Sequence, residues 1–351
     1  MSSEDPTSPA LLRSIYGSAP VRILDNGGWT DTWFAVHGRV FNIAGSPCAQ
    51  MRIDAFASDG TSEVTLDAKN YDDVYSFIPG GGGKRGKHQL LEAAVEDIGV
   101  PSGMSLRISA YCEVPAGAST GTSAAVLVAL VAALKALHGE EWTPEGVAYA
   151  AHHIEMDVLK HQCGIQDHIA SAYGGINYIQ ITKFPRADVQ RLSPPRPFLA
   201  ELERRLVLIY LGKSHDSADM HARVIRKLEN AGPGSKFLEH LRVAADHARD
   251  ASMAGDIRSL GGAMIENTDA QQRLHPDLVS SDAMRVIEIA RANGAIGWKV
   301  NGAGGEGGTI TILSAESPAE RAAMIAAITS ADRTFREIPV RLSPSGVRTW
   351  E

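Results

Sequence analysis

Cysteine is scarce in this chain. Cys48, Cys112 and Cys163 are the only three among 351 residues. Their number is odd and no two form a C-x-x-C pair, which argues against a disulfide framework or a structural zinc site and leads us to expect a reducing, cytoplasmic setting. Long apolar runs are missing as well. The longest uncharged one, Ala124 to Leu134, falls short of the ~20 residues that a membrane-spanning helix needs, so no membrane partner is expected. The opening "MSSEDPTSPALLRS" has no basic stretch leading into an apolar core and does not read as a secretory signal. An excess of positive charge is also lacking: 34 Lys and Arg face 41 Asp and Glu, for a formal charge of −7. Nucleic acid, whose phosphate backbone recruits basic surfaces, is therefore not expected as a partner. Small phosphates stay open, because they need only a local positive field.

What is present is ordinary for a soluble globular enzyme: 44% hydrophobic and 21% charged residues, in a length that suits two domains. There is no internal repeat. The N-terminal part is rich in strand signals, with candidates at Ile15–Leu24, Arg39–Ala44, Met51–Ala57, Glu63–Leu66 and Leu106–Val114. The glycine-rich, basic tract "IPGGGGKRGKHQ" (Ile78–Gln89) interrupts them and reads as a mobile, solvated surface loop, with a helix after it at Gln89–Ile98. Two helices follow at Thr122–Leu137 and Pro144–Lys160, and then a strand in "GGINYIQI". The four prolines of "FPRADVQRLSPPRPFLAELERR" read as a linker, with a domain boundary near Ser193–Pro197. Beyond it come a buried strand at Leu206–Leu211 and helices at Ser217–Leu228, Lys236–Met253, Ile257–Asn267 and Asp282–Asn293. Two short strands then flank "NGAGGEGG", before a helix at Pro318–Thr329 and a strand at Arg336–Leu342. The class is α+β in two domains, residues 1–195 and 196–351.

Three segments imitate familiar motifs. "GGGKRGKH" (Gly81–His88) nearly spells a P-loop, but His88 replaces the hydroxyl that would hold Mg²⁺ and no strong buried strand precedes it. "GAGGEG" (Gly302–Gly307) matches G-x-G-x-x-G, yet "GTITIL" after it is a strand rather than a helix, which makes it a glycine turn between strands. That turn brings backbone close to a neighbour or a ligand, as glycine permits. "HHIEMDVLKHQCGIQDH" puts His152 and Glu155 three apart on a helix, without the H-E-x-x-H spacing of a zinc site.

The stretch "PAGASTGTSAA" is different. Pro115 ends a strand because it cannot donate to a ladder. Gly117 and Gly121 allow a sharp turn, and Ser119, Thr120, Thr122 and Ser123 crowd the start of an Ala/Leu/Val helix. One hydroxyl suffices for an N-cap. Four hydroxyls and two glycines exceed that need, and small Ala118, Ala124 and Ala125 leave room for a bulky group. A helix N-terminus exposes unpaired N–H groups with partial positive charge, so the stretch reads as an anion site. Upstream, "APVRILDNGGWTDTWFAVHGRVFNIA" places Arg22 in a strand, with Asp31 beyond a Gly-Gly turn. Downstream, "GIQDHIASAYGGIN" places Asp167 at a helix start.

On these residues the chain resembles the GHMP kinases, the family of galactokinase, homoserine kinase, mevalonate kinase and phosphomevalonate kinase. "APVRILDNGGWTD", "VPAGASTGTSAA" and "GWKVNGAGGEGG" are similar to its three motifs, in the same order. "IEMDVLKHQCGIQDHIASAYGGINYI" looks most like the sugar 1-kinase branch, with heptose 7-phosphate kinase and L-fucokinase. The resemblance implies a two-domain GHMP kinase-like fold, with an N-terminal ribosomal protein S5 domain 2-like half that binds ATP and a C-terminal ferredoxin-like α/β sandwich. It implies that Pro115, Gly117, Ala118, Ser119, Thr120, Gly121, Thr122 and Ser123 hold ATP phosphates, and that Ser123 and Glu155 ligate Mg²⁺. Asp167 corresponds to the carboxylate at the acceptor hydroxyl and Arg22 to the basic residue beside it. Asp31 corresponds to a sugar-hydroxyl ligand, with Gly28, Trp29, Thr30, Gly175, Gly304 and Gly305 on the substrate side. Lys213, Ser214 and His215 stand where relatives often contact phosphate.

The chain departs from the pattern at Ser119 and Thr120, where the family usually has Gly-Leu, and at Glu306, which interrupts the third glycine run. His215 stands where close relatives often carry Arg. The last two departures weaken a heptose 7-phosphate reading. The implied activity is ATP- and Mg²⁺-dependent phosphorylation of a sugar or sugar phosphate, at its anomeric hydroxyl, by a monomer or homodimer. The alternatives are an idle sugar or nucleotide sensor on the same fold, a GHMP kinase acting on a non-sugar alcohol, and a metal hydrolase using the histidines.

Overall fold

Two long strands organise the N-terminal half. In this computed structural model, which describes residues 10–81, 85–115, 117–213, 217–228 and 232–351, β1 (Leu11–Asn26) pairs antiparallel with β2 (Gly38–Ala57) over almost its whole length. Lys84 of the basic tract, and Ser214 and His215, lie outside the described residues. The segments 39–44 and 51–57, expected as separate strands, are one strand. Gly45, Ser46 and Pro47 look like a breaker, but a bulge opposite Pro20 and Val21 absorbs them. The bend lets one strand serve two partners.

The chain continues through β3 (Val64–Ala68), β4 (Asp73–Phe77), α1 (Gln89–Ile98) and β5 (Met104–Tyr111). Sequence reading missed β4, a half-exposed edge strand. β5 pairs with Gln50–Ala57 of β2 and runs parallel to β3. Then come α2 (Thr122–Leu137), α3 (Pro144–His153) with a π-helical turn over Ile154–Val158, α4 (Gln166–Tyr173), β6 (Ile176–Lys183) and β7 (Arg186–Leu192). β6 pairs with Gly38–Ile43 of β2 and forms a hairpin with β7. α2 is apolar all round because it is buried all round, between the sheet and α1, α3 and α4.

The expected linker is structured. Its first part is β7; its second is α5 (Arg196–Arg205), which buries Phe198 and Leu202. The prolines mislead because Pro195 and Pro197 sit at the N-terminus of α5, where the missing N–H is no loss.

The second sheet uses β8 (Leu206–Tyr210), reached before α6 (Ser217–Leu228), α7 (Lys236–Ala254), α8 (Ile257–Leu274) and α9 (Ser281–Ala292). β9 (Gly297–Val300) and β10 (Thr309–Leu313) form the hairpin whose loop carries the third glycine run. After α10 (Pro318–Ala331) comes β11 (Arg336–Ile338). The order β11-β8-β10-β9, antiparallel throughout, is that of a ferredoxin-like sheet. The strand expected at 336–342 splits at Pro339: β12 (Arg341–Leu342) returns to pair with β2, and β13 (Arg348–Trp350) pairs with β1. One continuous core joins the sheets, with Ala245, Ala248, Leu260 and Met264 of α7 and α8 packed among Val21, Ile23 and Phe41 on one side and Leu206 and Leu208 on the other. Among the described residues no helix is long and apolar enough to cross a membrane.

Candidate active site

The end of β1, the start of α2, the start of α4 and the β9–β10 loop converge. Among the described residues no side chain caps the start of α2. Gly121 occupies the N-cap position in the left-handed region, with φ 64°, and the amides of the first turn have no capping oxygen. The hydroxyls crowding the helix start therefore supply no N-cap. Thr120 is buried and bonds to the Thr122 hydroxyl at 3.0 Å, while Ser119 Oγ is buried without a partner among the described residues. Thr309 of β10 donates to the Ala118 carbonyl at 2.8 Å, fastening the loop to the second sheet.

Arg22 is 1% exposed and fully engaged. Its Nε donates to Asp167 Oδ1 at 2.6 Å, Nη1 to Asp25 Oδ1 at 2.7 Å and Nη2 to the Ser119 carbonyl at 2.7 Å. Burial alone would lower its pKa; the Asp167 and Asp25 carboxylates outweigh that and raise it. Asp25 is fully buried. Burial would raise its pKa, but Arg22, Lys299 and the Gly302 amide, 3.1 Å away, hold it below the usual carboxylate range. Lys299 of β9 lies 3.4 Å from Asp25 Oδ2 and donates to the Val300 carbonyl. Burial pushes its pKa down to about 8. Sequence reading quoted both Asp25 and Lys299 inside motifs and gave neither a role. The available signal was a lone acid three residues after Arg22 and a lone lysine in a buried strand.

Asp31 is 2% exposed and accepts the Gln166 amide at 3.0 Å. Burial, with Asp167 and Asp25 adding to it, pushes its pKa up to about 6. Glu155 sits on the π-helical turn, where Leu159 N donates back to the Ile154 carbonyl. Its Oε2 accepts from Nε2 of His168, which is 1% exposed and meets the His152 ring edge-on at 5.4 Å. Burial would raise the Glu155 pKa, but the His168 hydrogen bond brings it below the ordinary value. Burial pushes His152 down to about 3.

Arg22, Asp31, Ser119, Ser123, Glu155 and Asp167 line one cleft of about 630 Å³, a volume that suits a small ligand. Gly117, Ala118, Gly121, Thr122 and Trp29 line it too. The other expected residues do not. Pro115 and Thr120 are not among the lining residues, and Gly28 leaves room for the Asp25 and Gln166 side chains. The Thr30 hydroxyl bonds to the Gly27 and Arg39 carbonyls. Gly175 donates to the Ser343 carbonyl, Gly304 packs on the Leu278 backbone and Gly305 bridges to Val279.

At the far end of the cleft Lys87 and His88 line it beside Tyr71, Leu91, Tyr111 and Val114. The tract expected as a solvated loop thus contributes a wall, held by Lys87 on Asp73 at 3.2 Å and by the His88 ring beside Tyr71. Lys213, expected near phosphate, pairs with Asp282 at 3.0 Å.

Residues 88–175 match the GHMP kinases N terminal domain. The chain is 27% identical over 249 residues to the mevalonate kinase of Thermococcus sibiricus, covering 68% of each chain. It is 27% identical over 213 residues to the D-glycero-alpha-D-manno-heptose 7-phosphate kinase of Campylobacter jejuni, covering 58% of this chain and 60% of that one, so this match spans less than two thirds of the relative's length. The fold matches the crystal structure of a D-glycero-D-manno-heptose 1-phosphate kinase from Bacteroides thetaiotaomicron, with a TM-score of 0.74 at 19% identity over 96% of this chain and 99% of that one. Over residues 88–175 the chain is thus similar to the GHMP kinases N terminal domain, and its overall fold is the one seen in that sugar kinase structure.

Proposed function

We propose that this protein transfers a phosphoryl group from ATP, with Mg²⁺, to the anomeric hydroxyl of a small sugar. The observation that carries the reading is the Arg22–Asp167 pair, closed at 2.6 Å beside the uncapped N-terminus of α2. An amide-rich helix start suits phosphate oxygens, and the reacting carboxylate lies within the same cleft. Two protein oxygens, from Ser123 and Glu155, suit a cation that keeps several waters and shares the nucleotide phosphates. Mg²⁺ and ATP, when bound, supply the phosphoryl group and neutralise part of its charge.

In this reading residues 1–195 bind nucleotide and 196–351 form the C-terminal domain of a cytoplasmic monomer or homodimer. Gly117–Ser123 holds phosphates through its amides, and Asp31 accepts a sugar hydroxyl. Asp167 takes the proton of the acceptor hydroxyl at the oxygen that Arg22 does not hold. Arg22 fixes the orientation of that carboxylate, and its charge offsets charge developing on the transferred group. Phosphoryl transfer asks mainly for such positioning and electrostatics.

ADP release with a panel of sugars, sugar phosphates and mevalonate tests the reading. Asp167→Ala is expected to lose turnover and keep nucleotide binding; unchanged turnover in that variant would remove the base assignment. A non-sugar alcohol as acceptor is the second reading, favoured by the match to the mevalonate kinase of Thermococcus sibiricus. The same panel separates the two.

A further inference from the structure

The acceptor wall carries a buried group that the roles above leave unused. Gln166 is 7% exposed, lines the cleft next to Asp167, and its Oε1 has no donor among the described residues. Its backbone is fixed at both ends, the amide donating to Asp31 Oδ2 at 3.0 Å and the carbonyl accepting from Asn42 Nδ2 at 3.1 Å. Gly28 has no side chain where one would meet the Gln166 carboxamide, at 2.9 Å from Nε2. The fold therefore clears space for this side chain, locks its base and leaves its oxygen unsatisfied. A buried acceptor without a donor costs free energy that a ligand hydroxyl recovers.

The neighbours are acceptors too. Asp31 is tied to Gln166, and Asp167 and Glu155 line the same cleft. Arg22, the guanidinium among the described lining residues, is spent on Asp167, Asp25 and the Ser119 carbonyl. Among the described lining residues on this side the remaining cationic candidates are His161, at the exposed rim, and His168, whose Nε2 is already held by Glu155 at 3.0 Å. Such a wall takes hydroxyl donors and repels anions, because like charges held close in a partly desolvated site disfavour each other.

We propose that Gln166 is a specificity-determining residue which, with Asp31, reads adjacent hydroxyls of an uncharged polyol, so that the acceptor is a free sugar rather than a sugar phosphate or a hydroxy acid. This rests on the kinase reading above and narrows its substrate class.

The experiment compares D-mannose, L-fucose, D-galactose and D-glycero-D-manno-heptose with mannose 6-phosphate, the heptose 7-phosphate and mevalonate. Each is read by ADP release and, independently of turnover, by thermal shift in the presence of Mg²⁺ and a non-hydrolysable ATP analogue. Gln166→Met, which keeps volume and removes the acceptor, is measured beside the wild type. The expected result is turnover and thermal shift with a free sugar, and in Gln166→Met a KM for that sugar raised about tenfold with kcat nearly unchanged and a melting temperature no lower than that of the wild type. A higher kcat/KM for a phosphorylated or carboxylated acceptor leaves the kinase reading standing and overturns the inference. An unchanged KM in Gln166→Met also overturns it, because a merely space-filling glutamine tolerates methionine. If no compound is turned over, the kinase reading falls; the inference is then judged on binding, upheld by a free-sugar shift that Gln166→Met weakens and overturned by its absence.

Discussion

Gly121 and Asp167 face each other so closely that a Cβ on Gly121 would lie 2.7 Å from the Asp167 carboxyl carbon. The N-cap of α2 and Asp167 thus share one contact, made possible by a missing side chain. Gly121→Ala is expected to displace Asp167 and to strain a backbone held at φ 64°. Misplacement of a reacting group by about 1 Å costs on the order of 100-fold in rate, so kcat/KM should fall by roughly that factor. Stability should drop by about 1–2 kcal/mol, the cost of a non-glycine residue in the left-handed region. Steady-state kinetics and thermal unfolding check both numbers, and a stability loss without a rate loss would break the link.

His168 holds the carboxylate assigned to the metal, and it does so from a buried position, Nε2 to Glu155 Oε2 at 3.0 Å. Groups that orient a metal ligand typically matter by about 10- to 100-fold in metal affinity. His168→Leu is expected to weaken Mn²⁺ binding to the nucleotide complex by about tenfold, and His168→Gln, which can still donate, to recover most of it. Titration followed by the Mn²⁺ electron-spin signal measures this without turnover. Equal affinity in all three proteins would leave His168 a packing residue.

Why some of this was legible in the sequence and some was not has physical causes. α2 was legible because an all-round apolar helix with crowded hydroxyls at its start has few other uses. Arg22 and Asp167 were legible as candidates through their motifs, and the fold closes the 145-residue gap between them. β7 and α5 were not, because prolines at a helix start read the same as prolines in a linker. Asp25 and Lys299 were missed because each, alone in a strand, reads as a solvated charge. Their pairing exists only where the two sheets meet. Gln166 was hidden for a similar reason: an unsatisfied oxygen is a property of surroundings, not of spacing.

Asp31 is buried at a cost. Its pKa in the fold is about 6 against 3.8 for an ordinary aspartate. The folded state therefore holds the proton more tightly, and the stability this group contributes is fully present below pH 3.8 and lost as pH rises through 6. Asp31→Asn, which cannot ionise and still offers an oxygen to the Gln166 amide, should be more stable than wild type at pH 7, by up to about 3 kcal/mol. That advantage should vanish near pH 4. Sugar binding should weaken in the same variant. Denaturant unfolding across this range checks the sign; an advantage that grows on acidification would refute it.

Lys299 offers the opposite pH signature. Its side chain is fully buried, and its pKa in the fold is about 8 against 10.5 in the unfolded chain. Below pH 8 it is charged in both states and its burial opposes folding. Between pH 8 and 10.5 the folded protein loses the proton while the unfolded chain keeps it. Unfolding then requires proton uptake, so this group makes stability rise with pH across that window, by up to about 3 kcal/mol. Lys299→Met abolishes the rise, so wild-type stability minus variant stability should climb from pH 7 towards pH 10. At pH 7 the variant leaves Asp25 with Arg22 and the Gly302 amide as partners. Two charges removed from water in one buried cluster make the net effect there small or unfavourable, well short of the ~3–5 kcal/mol seen when a buried ion loses its sole partner. Because Asp25 also anchors Arg22, a tilt of that carboxylate reaches Asp167, and kcat should fall together with any stability loss. Urea titrations of both proteins at pH 7, 8, 9 and 10, paired with kcat at pH 7, decide it: parallel stability curves would mean that Lys299 is not the buried cation the geometry describes.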